Sequence, residues 1–525
     1  MRSGRPVLLV VLVAALVLVS PAASAQTLGA VLTGSQEVPP NANPGFGNAT
    51  VTFDDTRQNV TVTITVANLG APINNFHIHE APAGVNGPVV VNLIGLGGTF
   101  VNGTMSGTFA VAPAVAQRML DNPSNFYVNV HTTALPGGAV RGQLAFVSGG
   151  EIRYAAELRP QNEVPPANSS AYGSAFVTFN PITNSIAWDA RANGIANPTL
   201  SHIHRGAAGV NGPVVINFAT SAAQIPNGRT AGAGPITGVQ SGNLQPADLA
   251  ALYNPATASG FYVNIHSSAF PGGEVRGQLS QPHEFDIAVA GRVTNGLGQS
   301  FVTDVRVFNP SYTNAVTALL EFLPAKIGPN ATAANSIAVN IPARGTSVLN
   351  DVTGSSHLNV TGLGAVRVSS ATPIAVASRV YLDRQAQGTL GQFVPAQPRS
   401  AALRRGVMLQ LANSADLSQG FRTNVGFFNP TMSDVTVRLE LRDAAGALAG
   451  QSTLILGAQS QQQNSIATYF PGASLAAANS LTLSFDASAP IFVYSAVNDN
   501  VSGDSVFVPA QPDSGVASNQ TNPQG

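Results

Sequence analysis

Histidines recur in a fixed pattern in two parts of this chain. In each copy an HxH pair in the context HIHxxxxGVNGPVV is followed by a single histidine in FYVNVH or FYVNIH. The positions are His77, His79 and His131 in the first copy and His202, His204 and His266 in the second. Six of the eight histidines therefore occupy equivalent places. Because imidazole is a ligand for copper, zinc, nickel and iron, each copy offers a three-histidine metal site.

The spacing of these residues indicates that they share one face of a sheet. Side chains alternate between the two faces of a β-strand, so His77 and His79 point the same way. In FYVNVH the apolar residues at alternate positions predict the core face, which leaves Tyr127, Asn129 and His131 on the other face. If the two strands are neighbours, three imidazoles meet outside the core, under loops. A divalent ion held by three nitrogens keeps one position open for water or a small ligand.

Copper is the preferred metal, because all-nitrogen sites suit Cu(II) and the affinity series of divalent ions peaks at copper. Zinc is the second choice. An alternative without a metal also stays open: each histidine is neutral, bonds to the backbone or to Asn86 and Asn211, and braces the GVNGPVV loop.

Other repeated charged residues flank the histidines. Glu37 and Glu163, in the EVPP motifs, are expected to form structural ion pairs with Arg141 and Arg276 of the RGQL motifs. These arginines alternate with valines, so they face away from the core, beside the histidines, where they could attract a small anion.

Glu80 is not expected to be a ligand, because Arg205 replaces it in the second copy. We expect it to be solvated. The paired glycines before each RGQL, Gly137-Gly138 and Gly272-Gly273, predict a tight hairpin turn.

The elements that position these residues are expected to be strands. Charged residues make up only 9% of the chain, against roughly 25% in an average soluble protein. Runs such as NATVTFDD, NVTVTITVANL and SAFVTFN alternate apolar with polar residues between turn formers, which is typical of half-buried strands. Only AVAQRMLDNP and PADLAALYNP predict a turn or two of helix. The fold class is therefore all-β, with tandem immunoglobulin-like β-sandwich or Greek-key barrel domains.

A second repeat marks the rest of the chain. FVTDVRVFNP is answered by FRTNVGFFNP, and FVPAQP occurs twice. We assign these later domains a structural or adhesive role. The predicted organisation is a signal peptide at 1–25, two histidine-bearing domains at 26–148 and 149–281, two further β-sandwich domains at 282–398 and 399–512, and a disordered tail at 513–525.

The first residues and the composition limit the possible locations and functions of the protein. A basic start, a short apolar run and the A-x-A sequence ending at Ala25 predict a secretory signal peptide. Secretion, or a periplasmic or cell-surface location, is expected, with an envelope or extracellular-matrix component as a partner and no membrane span once the signal is removed. The chain has no cysteine, which excludes disulfides and thiolate metal sites. A net charge of -1 without a basic run excludes nucleic-acid binding.

The joint pattern EVPP, HIHxxxxGVNGPVV, FYVNxH and PGGxxRGQL resembles the chordin-type (CHRD) domain, over Leu28 to Leu144 and again over Tyr154 to Leu279. The resemblance implies an extracellular, immunoglobulin-like β-barrel or sandwich. Chordin's Cys-rich modules have no counterpart here, so growth-factor binding is not implied.

The histidines also resemble, more weakly, the copper ligands that copper/zinc superoxide dismutase presents outside its sandwich. Only the six histidines match. The bridging histidine, the zinc-ligand set and the disulfide of that family have no match, which puts dismutase activity in doubt.

These observations lead to three hypotheses about function. The first is an exported, non-enzymatic protein that binds one transition metal in each histidine-bearing domain. The second is a purely structural or adhesive protein whose histidines brace loops. The third is a copper-dependent redox enzyme acting on a small oxygen species. The sequence has no GxSxG, no HExxH and no close carboxylate pair present in both copies, so a non-enzymatic role is favoured.

Overall fold

The computed structural model is an all-β protein. It describes residues 27–54, 57–146, 151–181, 183–236, 244–294, 300–325, 335–384, 388–414, 416, 418–475 and 477–513. The predicted signal peptide at 1–25 and positions 514–525 of the predicted tail lie outside these residues. No helix in the described part of the chain combines the length and the apolar character that a bilayer crossing needs.

The strands fall into four groups, which we call units 1 to 4. Unit 1 comprises β1 (Thr27–Thr33), β2 (Phe46–Phe53), β3 (Asn59–Ala67), β4 (Ile73–Glu80), β5 (Val89–Asn92), β6 (Thr104–Ala110), α1 (Pro113–Asp121), β7 (Phe126–Thr132), β8 (Val140–Gln143) and β9 (Ala145–Phe146). They form one curled sheet in the order β5-β4-β7-β8-β1-β2-β3-β6, with β9 beside β1. All its pairings are antiparallel.

Unit 2 repeats this arrangement as two four-stranded layers. It comprises β10 (Ile152–Leu158), β11 (Tyr172–Asn180), β12 (Ser185–Asn193), β13 (Pro198–Arg205), β14 (Val214–Ala219), β15 (Arg229–Pro235), α2 (Pro246–Leu252), β16 (Phe261–Ser267) and β17 (Val275–Gln278). The layer orders are β10-β11-β12-β15 and β14-β13-β16-β17. A bridge between Arg159 and Arg276 connects the layers, as the pair Thr33 and Arg141 does in unit 1.

Units 3 and 4 each form one sheet, of nine and eight strands. Unit 3 comprises β18 (His283–Thr294), β19 (Ser300–Phe308), β20 (Val316–Pro324), β21 (Asn335–Ile341), β22 (Thr346–Leu349), β23 (Gly362–Ser370), β24 (Ala375–Asp383), β25 (Thr389–Val394) and β26 (Ala396–Pro398). Unit 4 comprises β27 (Leu403–Ser414), β28 (Phe421–Asn429), β29 (Val435–Arg442), β30 (Leu448–Leu456), β31 (Ser460–Ser465), α3 (Ile466–Tyr469), β32 (Ala477–Asp499), β33 (Ser505–Pro509) and β34 (Gln511–Pro512).

Period-two alternation explains the strands of unit 1. On β3 the side chains of Val60, Val62 and Ile64 are fully buried in the core. The threonines between them face outward, and their hydroxyls bond across to β6, for example Thr63 Oγ1 to Ser106 Oγ at 2.9 Å. β-Branched residues suit such a half-buried pleated surface, so both faces of the strand favour the same conformation.

Units 2, 3 and 4 are joined by buried contacts. Arg153 of β10 forms an ion pair with Glu284 of β18 at 2.8 Å. Arg367 of β23 forms one with Asp286 at 3.0 Å, and neither side chain is exposed. The Arg367 guanidinium also donates to the carbonyl of Pro430 in unit 4 at 2.7 Å. The Arg153–Glu284 pair therefore joins unit 2 to unit 3, and the bond from Arg367 to Pro430 joins unit 3 to unit 4.

Candidate metal centres

The central strands of unit 1, β4 and β7, set the histidine pattern. Their antiparallel register pairs His77 with Asn129, His79 with Tyr127, and Asn75 with His131. Side chains that are directly opposite or diagonal on one face of such a pair are within contact range. The register therefore places His131 diagonally next to His77, and the three predicted residues of the first copy meet.

The three rings of unit 1 form a compact cluster. Ring centroids lie 5.4 Å apart for His77 and His79, 5.3 Å for His77 and His131, and 6.5 Å for His79 and His131. One nitrogen of each ring lies within 4.8 Å of the others. Two nitrogens on one ion are at most about 4 Å apart, so a small inward movement of the rings would bring all three into contact with one metal ion.

Two rings of the cluster are oriented by backbone carbonyls. The Nδ1 atom of His79 donates to the carbonyl of Gly87 at 3.0 Å, and that of His131 donates to the carbonyl of Pro136 at 3.0 Å. A neutral imidazole that donates through Nδ1 presents a lone pair at Nε2. Metal-binding histidines are held in this way, because the second nitrogen fixes the tautomer and the ring orientation.

Three of the remaining ring nitrogens have no partner among the described residues. His77 Nδ1, His79 Nε2 and His131 Nε2 are all buried and make no hydrogen bond. Leaving a buried acceptor unpaired costs about 1–3 kcal/mol. Three such atoms within one cluster fit a bound cation, and the donor set is the all-nitrogen set that copper and zinc accept.

Unit 2 repeats the cluster on β13 and β16. Ring centroids lie 5.4 Å apart for His202 and His204, 5.0 Å for His202 and His266, and 6.1 Å for His204 and His266. The carbonyls of Gly212 and Pro271 accept from Nδ1 of His204 and of His266, each at 2.9 Å. His204 Nε2 is buried without a partner. His202 Nδ1 lies 3.2 Å from His266 Nε2, so in this copy two ring nitrogens already face each other.

Burial keeps these rings neutral. Desolvation, followed by the proximity of His131 and His79, lowers the pKa of His77 from 6.5 to about 4. Desolvation first and His266 second lower the pKa of His202 to about 3. Burial lowers the pKa of His204 to about 4, although its bond to Gly212 opposes the shift. Only a neutral imidazole binds a metal, so these lowered pKa values keep the rings in the protonation state that a metal ion would need.

An aromatic and an arginine support each cluster from beneath. The rings of His79 and Tyr127 stack at 4.6 Å with an angle of 6° between their planes. On the Tyr127 ring also lies the Arg141 guanidinium, 3.4 Å from the centroid. Its Nη1 donates to Asn86 Oδ1 at 3.2 Å, and its Nη2 donates to the carbonyl of Val85 at 2.9 Å. The arginine thus braces the loop over the cluster, and its Nη2 also donates to Gln143 Oε1 on β8 at 3.0 Å.

Comparison with protein families identifies the two histidine-bearing segments. The family model of the CHRD domain matches residues 28–144 and 154–279. The chain carries two tandem CHRD domains. A comparison with curated proteins finds no match. The first CHRD domain coincides with unit 1 and the second with unit 2, and each contains one histidine cluster.

The expected ion pair between Glu37 and Arg141 is wrong. In the first CHRD domain Asn129 Nδ2 donates to Glu37 Oε2 at 3.3 Å, and no salt bridge joins that carboxylate to a described arginine. Burial raises the pKa of Glu37 to about 7, although the charge of Arg141 opposes the rise. In the second CHRD domain Asn264 Nδ2 donates to Glu163 at 2.9 Å, and burial likewise raises the pKa of Glu163 to about 7.

The proposed bonds from Asn86 and Asn211 to the histidines are also wrong. Asn86 Nδ2 donates to the carbonyl of Val38 at 2.8 Å, and Asn211 Nδ2 donates to the carbonyl of Val164 at 2.7 Å. The amides therefore join the GVNGP loops to the EVPP segments. Four of the six histidines bond instead to loop carbonyls, so for these four the part of the alternative that invoked the backbone is confirmed. They are His79, His131, His204 and His266.

Glu80 is paired rather than simply solvated. Arg118 of α1 donates to both its carboxylate oxygens, at 2.9 Å and 2.8 Å. In the second CHRD domain Arg205, at the same position, donates to Asp248 of α2 at 2.8 Å. In both domains an ion pair therefore links the end of the HxH strand to the helix. The strand carries the acidic partner in the first domain and the basic partner in the second. Single-sequence reasoning missed the link because the partners lie at different positions of the two helices.

Proposed function

We propose that each CHRD domain binds one transition-metal ion through its three histidines, with copper preferred over zinc, and that the protein is exported and non-enzymatic. The observation that supports this most directly is the set of buried, unpartnered nitrogens in the first cluster: His77 Nδ1, His79 Nε2 and His131 Nε2. Histidines that only brace loops would not be expected to bring one nitrogen of each ring within 4.8 Å of the others and to leave three buried nitrogens without a hydrogen bond.

The residues around the cluster fit that role. Gly87 and Pro136 accept from the far nitrogens of two ligands and so orient them. Tyr127 covers one face of the His79 ring. Each histidine keeps no more than 9% of its surface exposed, so the protein excludes most solvent from the position of the ion. A three-nitrogen site in such surroundings retains a metal in a single, closed place and leaves one coordination position for a small ligand.

Copper is preferred because each cluster contains histidines alone. The candidate groups are His77, His79 and His131, and His202, His204 and His266, with no carboxylate in either. Nitrogen-only sets favour copper, whereas oxygen ligands shift preference toward harder ions. The basic and apolar N-terminal segment and the A-x-A sequence support an exported protein.

The test counts metal ions on the mature full-length chain. After loading with copper or zinc and removal of free ions, the wild-type chain should retain about two copper ions. The double variant His77→Ala/His79→Ala should retain about one, as should His202→Ala/His204→Ala, and the combination of all four changes should retain none. The matched control is His283→Ala/His357→Ala, which removes the two histidines outside the clusters and should leave two ions bound.

Two results decide against the proposal. If the wild-type chain retains no copper or zinc, the histidines only brace loops. That result would support the hypothesis of a structural or adhesive protein. If the control variant loses as much metal as the cluster variants, binding occurs elsewhere. Superoxide or peroxide turnover by the copper-loaded chain, lost in the cluster variants, would overturn the non-enzymatic part and leave the metal sites in place.

A further inference from the structure

A cavity of about 370 Å³ lies between units 3 and 4. Its volume is within the range of roughly 300–1,000 Å³ that is typical of small-molecule sites. The residues that line it come from β18, β19, β23, β24 and β25 on one side and from β28, β31, β32 and β33 on the other. None of them belongs to the histidine clusters, so the cavity is independent of the proposed metal sites.

The two walls of the cavity differ in chemistry. Unit 3 supplies an aliphatic wall, which includes Val289, Val293, Leu363, Val380, Leu382 and Leu390. Unit 4 supplies a polar wall, which includes Arg422, Asn424, Gln463, Asn498 and Ser505. A molecule that fills the space must therefore present hydrocarbon to one side and hydrogen-bonding groups to the other.

The register of unit 4 explains the polar wall. Arg422 and Asn424 alternate on β28, so they share a face. On the adjacent strand β32 they are paired with Asn498 and Ala496. Arginine and amide side chains are thus gathered on the face of this sheet that is turned toward unit 3.

The cavity is held open by packing on either side. Phe428, Phe492 and Tyr494 of unit 4 belong to the same buried hydrophobic cluster as the core of unit 3. At the wall, Ser505 Oγ donates to Gln392 Oε1 at 3.0 Å across the two units. Because aromatic side chains anchor the units to each other, the space between them is preformed and would not have to be opened by a ligand.

Two glutamine amides at the cavity have donors to spare, Gln463 in unit 4 and Gln392 in unit 3. Tyr494 Oη donates to Gln463 Oε1 at 2.8 Å, and Ser505 occupies Gln392 Oε1 in the same way. With each amide oxygen occupied, the NH₂ groups of Gln463 and Gln392 remain as donors. These two NH₂ groups therefore favour an acceptor-rich ligand group.

Arg422 adds a permanent positive charge. Its Nη1 donates to Asn500 Oδ1 at 2.6 Å. Its Nε and Nη2 have no hydrogen-bond partner in the described part of the chain, and no described carboxylate forms an ion pair with it. No carboxylate lines the cavity either. The Nε and Nη2 edge of a guanidinium is the fork that binds a carboxylate through two parallel hydrogen bonds.

We propose that this cavity binds an aliphatic monocarboxylate of about ten carbons, a length that suits a pocket near the lower end of the ligand-site range. The carboxylate bonds to the free edge of Arg422 and to the neighbouring amides, while the hydrocarbon chain lies on the aliphatic wall of unit 3. Arg422 gives selectivity for the anion, and Val380 and Leu382 give selectivity for an alkyl chain over a polar one.

Calorimetric titration of the mature full-length chain with decanoate tests the proposal, with 1-decanol as the uncharged match. The wild-type chain should bind one decanoate. It should bind decanol at least about tenfold more weakly than decanoate. Arg422→Gln should weaken decanoate binding by about tenfold, the size of one charge-assisted hydrogen bond, and leave decanol binding unchanged. Arg344→Gln is the control, because Arg344 lies over the rings of Phe308 and Tyr312 and outside the cavity.

A second variant tests the location. Val293 lines the cavity and is 39% exposed, so Val293→Trp can fill the entrance without entering the core, and it should abolish decanoate binding. Val348→Trp, at a 56% exposed position outside the cavity, should not. Absence of decanoate binding to the wild type overturns the proposal. So does equal binding of decanoate and decanol, or unchanged decanoate binding in both Arg422→Gln and Val293→Trp.

Discussion

His79 stacks face to face on Tyr127, with ring centroids 4.6 Å apart. The pair His204 and Tyr262 does the same in the second CHRD domain, at 4.8 Å. In both domains an arginine guanidinium lies 3.4 Å from the tyrosine ring centroid. The position of one proposed ligand in each cluster therefore depends on a layer of side chains that links it to the covering loop.

Loss of this stack should weaken metal binding in one domain only. In the His202→Ala/His204→Ala background, which isolates the first cluster, Tyr127→Leu removes the ring beneath His79. We expect copper affinity to fall by about 10–100-fold, as for other groups that orient metal ligands. Competition with a chelator of known affinity measures the change. Tyr127→Phe is the control, since it keeps the ring and loses only the hydroxyl that accepts from Gly87 N at 3.2 Å. Unchanged affinity in Tyr127→Leu would refute a role for the stack.

The metal-free protein should lose stability as the pH falls from about 6.5 to about 4. The folded-state pKa of His77 is lowered from 6.5 to about 4, so between these values the unfolded chain binds more protons than the folded one. Stability then rises with pH across the window and is lost in acid. For His77 alone the loss is on the order of 1–3 kcal/mol.

The midpoint of thermal unfolding, measured at intervals between pH 4 and 8 with a chelator present, checks this expectation. His77→Gln and His202→Gln each remove one titrating group and should flatten the profile. His283→Gln, which changes an exposed histidine, should not. A profile that is flat in the wild type would contradict the expectation.

Glu37→Gln should stabilise the first CHRD domain in alkaline solution. Burial raises the folded-state pKa of Glu37 from 4.5 to about 7, so the folded state binds more protons than the unfolded state between these values, and stability falls as the pH rises through them. Gln cannot ionise and still accepts from Asn129. At pH 8 the variant should be more stable than the wild type by about 1–3 kcal/mol, and at pH 4 the two should agree.

Urea unfolding at both pH values measures this difference, and Glu163→Gln should reproduce it in the second domain. Glu80→Gln is the control. Its partner Arg118 has half of its side chain exposed, so this ion pair contributes little and the change should be small at either pH. Equal stability of Glu37→Gln and wild type at pH 8 would show that Glu37 is not buried as a charge.

The sequence predicts the histidine clusters because they depend on a simple period. His77 and His79 share a face by alternation, and the repeat of His131 in both copies marks its strand as the partner. The carbonyls of Gly87 and Pro136 could not be predicted, since they belong to loops whose path no periodicity describes. Glu37 was assigned to the wrong partner for a related reason: β1 and β8 are paired only through Thr33 and Arg141, and the loop that follows β1 sets where the carboxylate lies.

The cavity between units 3 and 4 could not be predicted from the sequence. Arg422 and Asn424 are visibly on one face of a strand, but nothing in the sequence says that this face is turned toward Val380 and Leu382 of another unit. Packing between units decides that, and the aromatic residues responsible, such as Phe492, are indistinguishable in the sequence from ordinary core residues.

The glycine pairs before each RGQL motif provide the last prediction. In the first domain the predicted tight turn is present: Gly138 N donates to the carbonyl of Leu135 at 3.1 Å, within the connection 133–139 between the antiparallel strands β7 and β8. Gly138 has a φ of +135°, and a Cβ there would lie 2.4 Å from Glu37 Oε2, whereas a Cβ on Gly137 would meet nothing within 4 Å. Gly138→Ala should therefore destabilise the first CHRD domain by about 1–3 kcal/mol, and Gly137→Ala should change its stability by less than about 0.5 kcal/mol.

A double-mutant cycle separates the two causes of that loss. Glu37→Ala removes the carboxylate that a Cβ on residue 138 would meet, but it leaves the backbone conformation of Gly138 unfavourable for alanine. If the clash contributes, Gly138→Ala should cost at least about 0.5 kcal/mol less in the Glu37→Ala background than in the wild type. Strictly additive losses in urea unfolding would assign the whole effect to the backbone and would mean that Glu37 can move away. That result would remove the reason to regard the carboxylate as fixed beside Asn129.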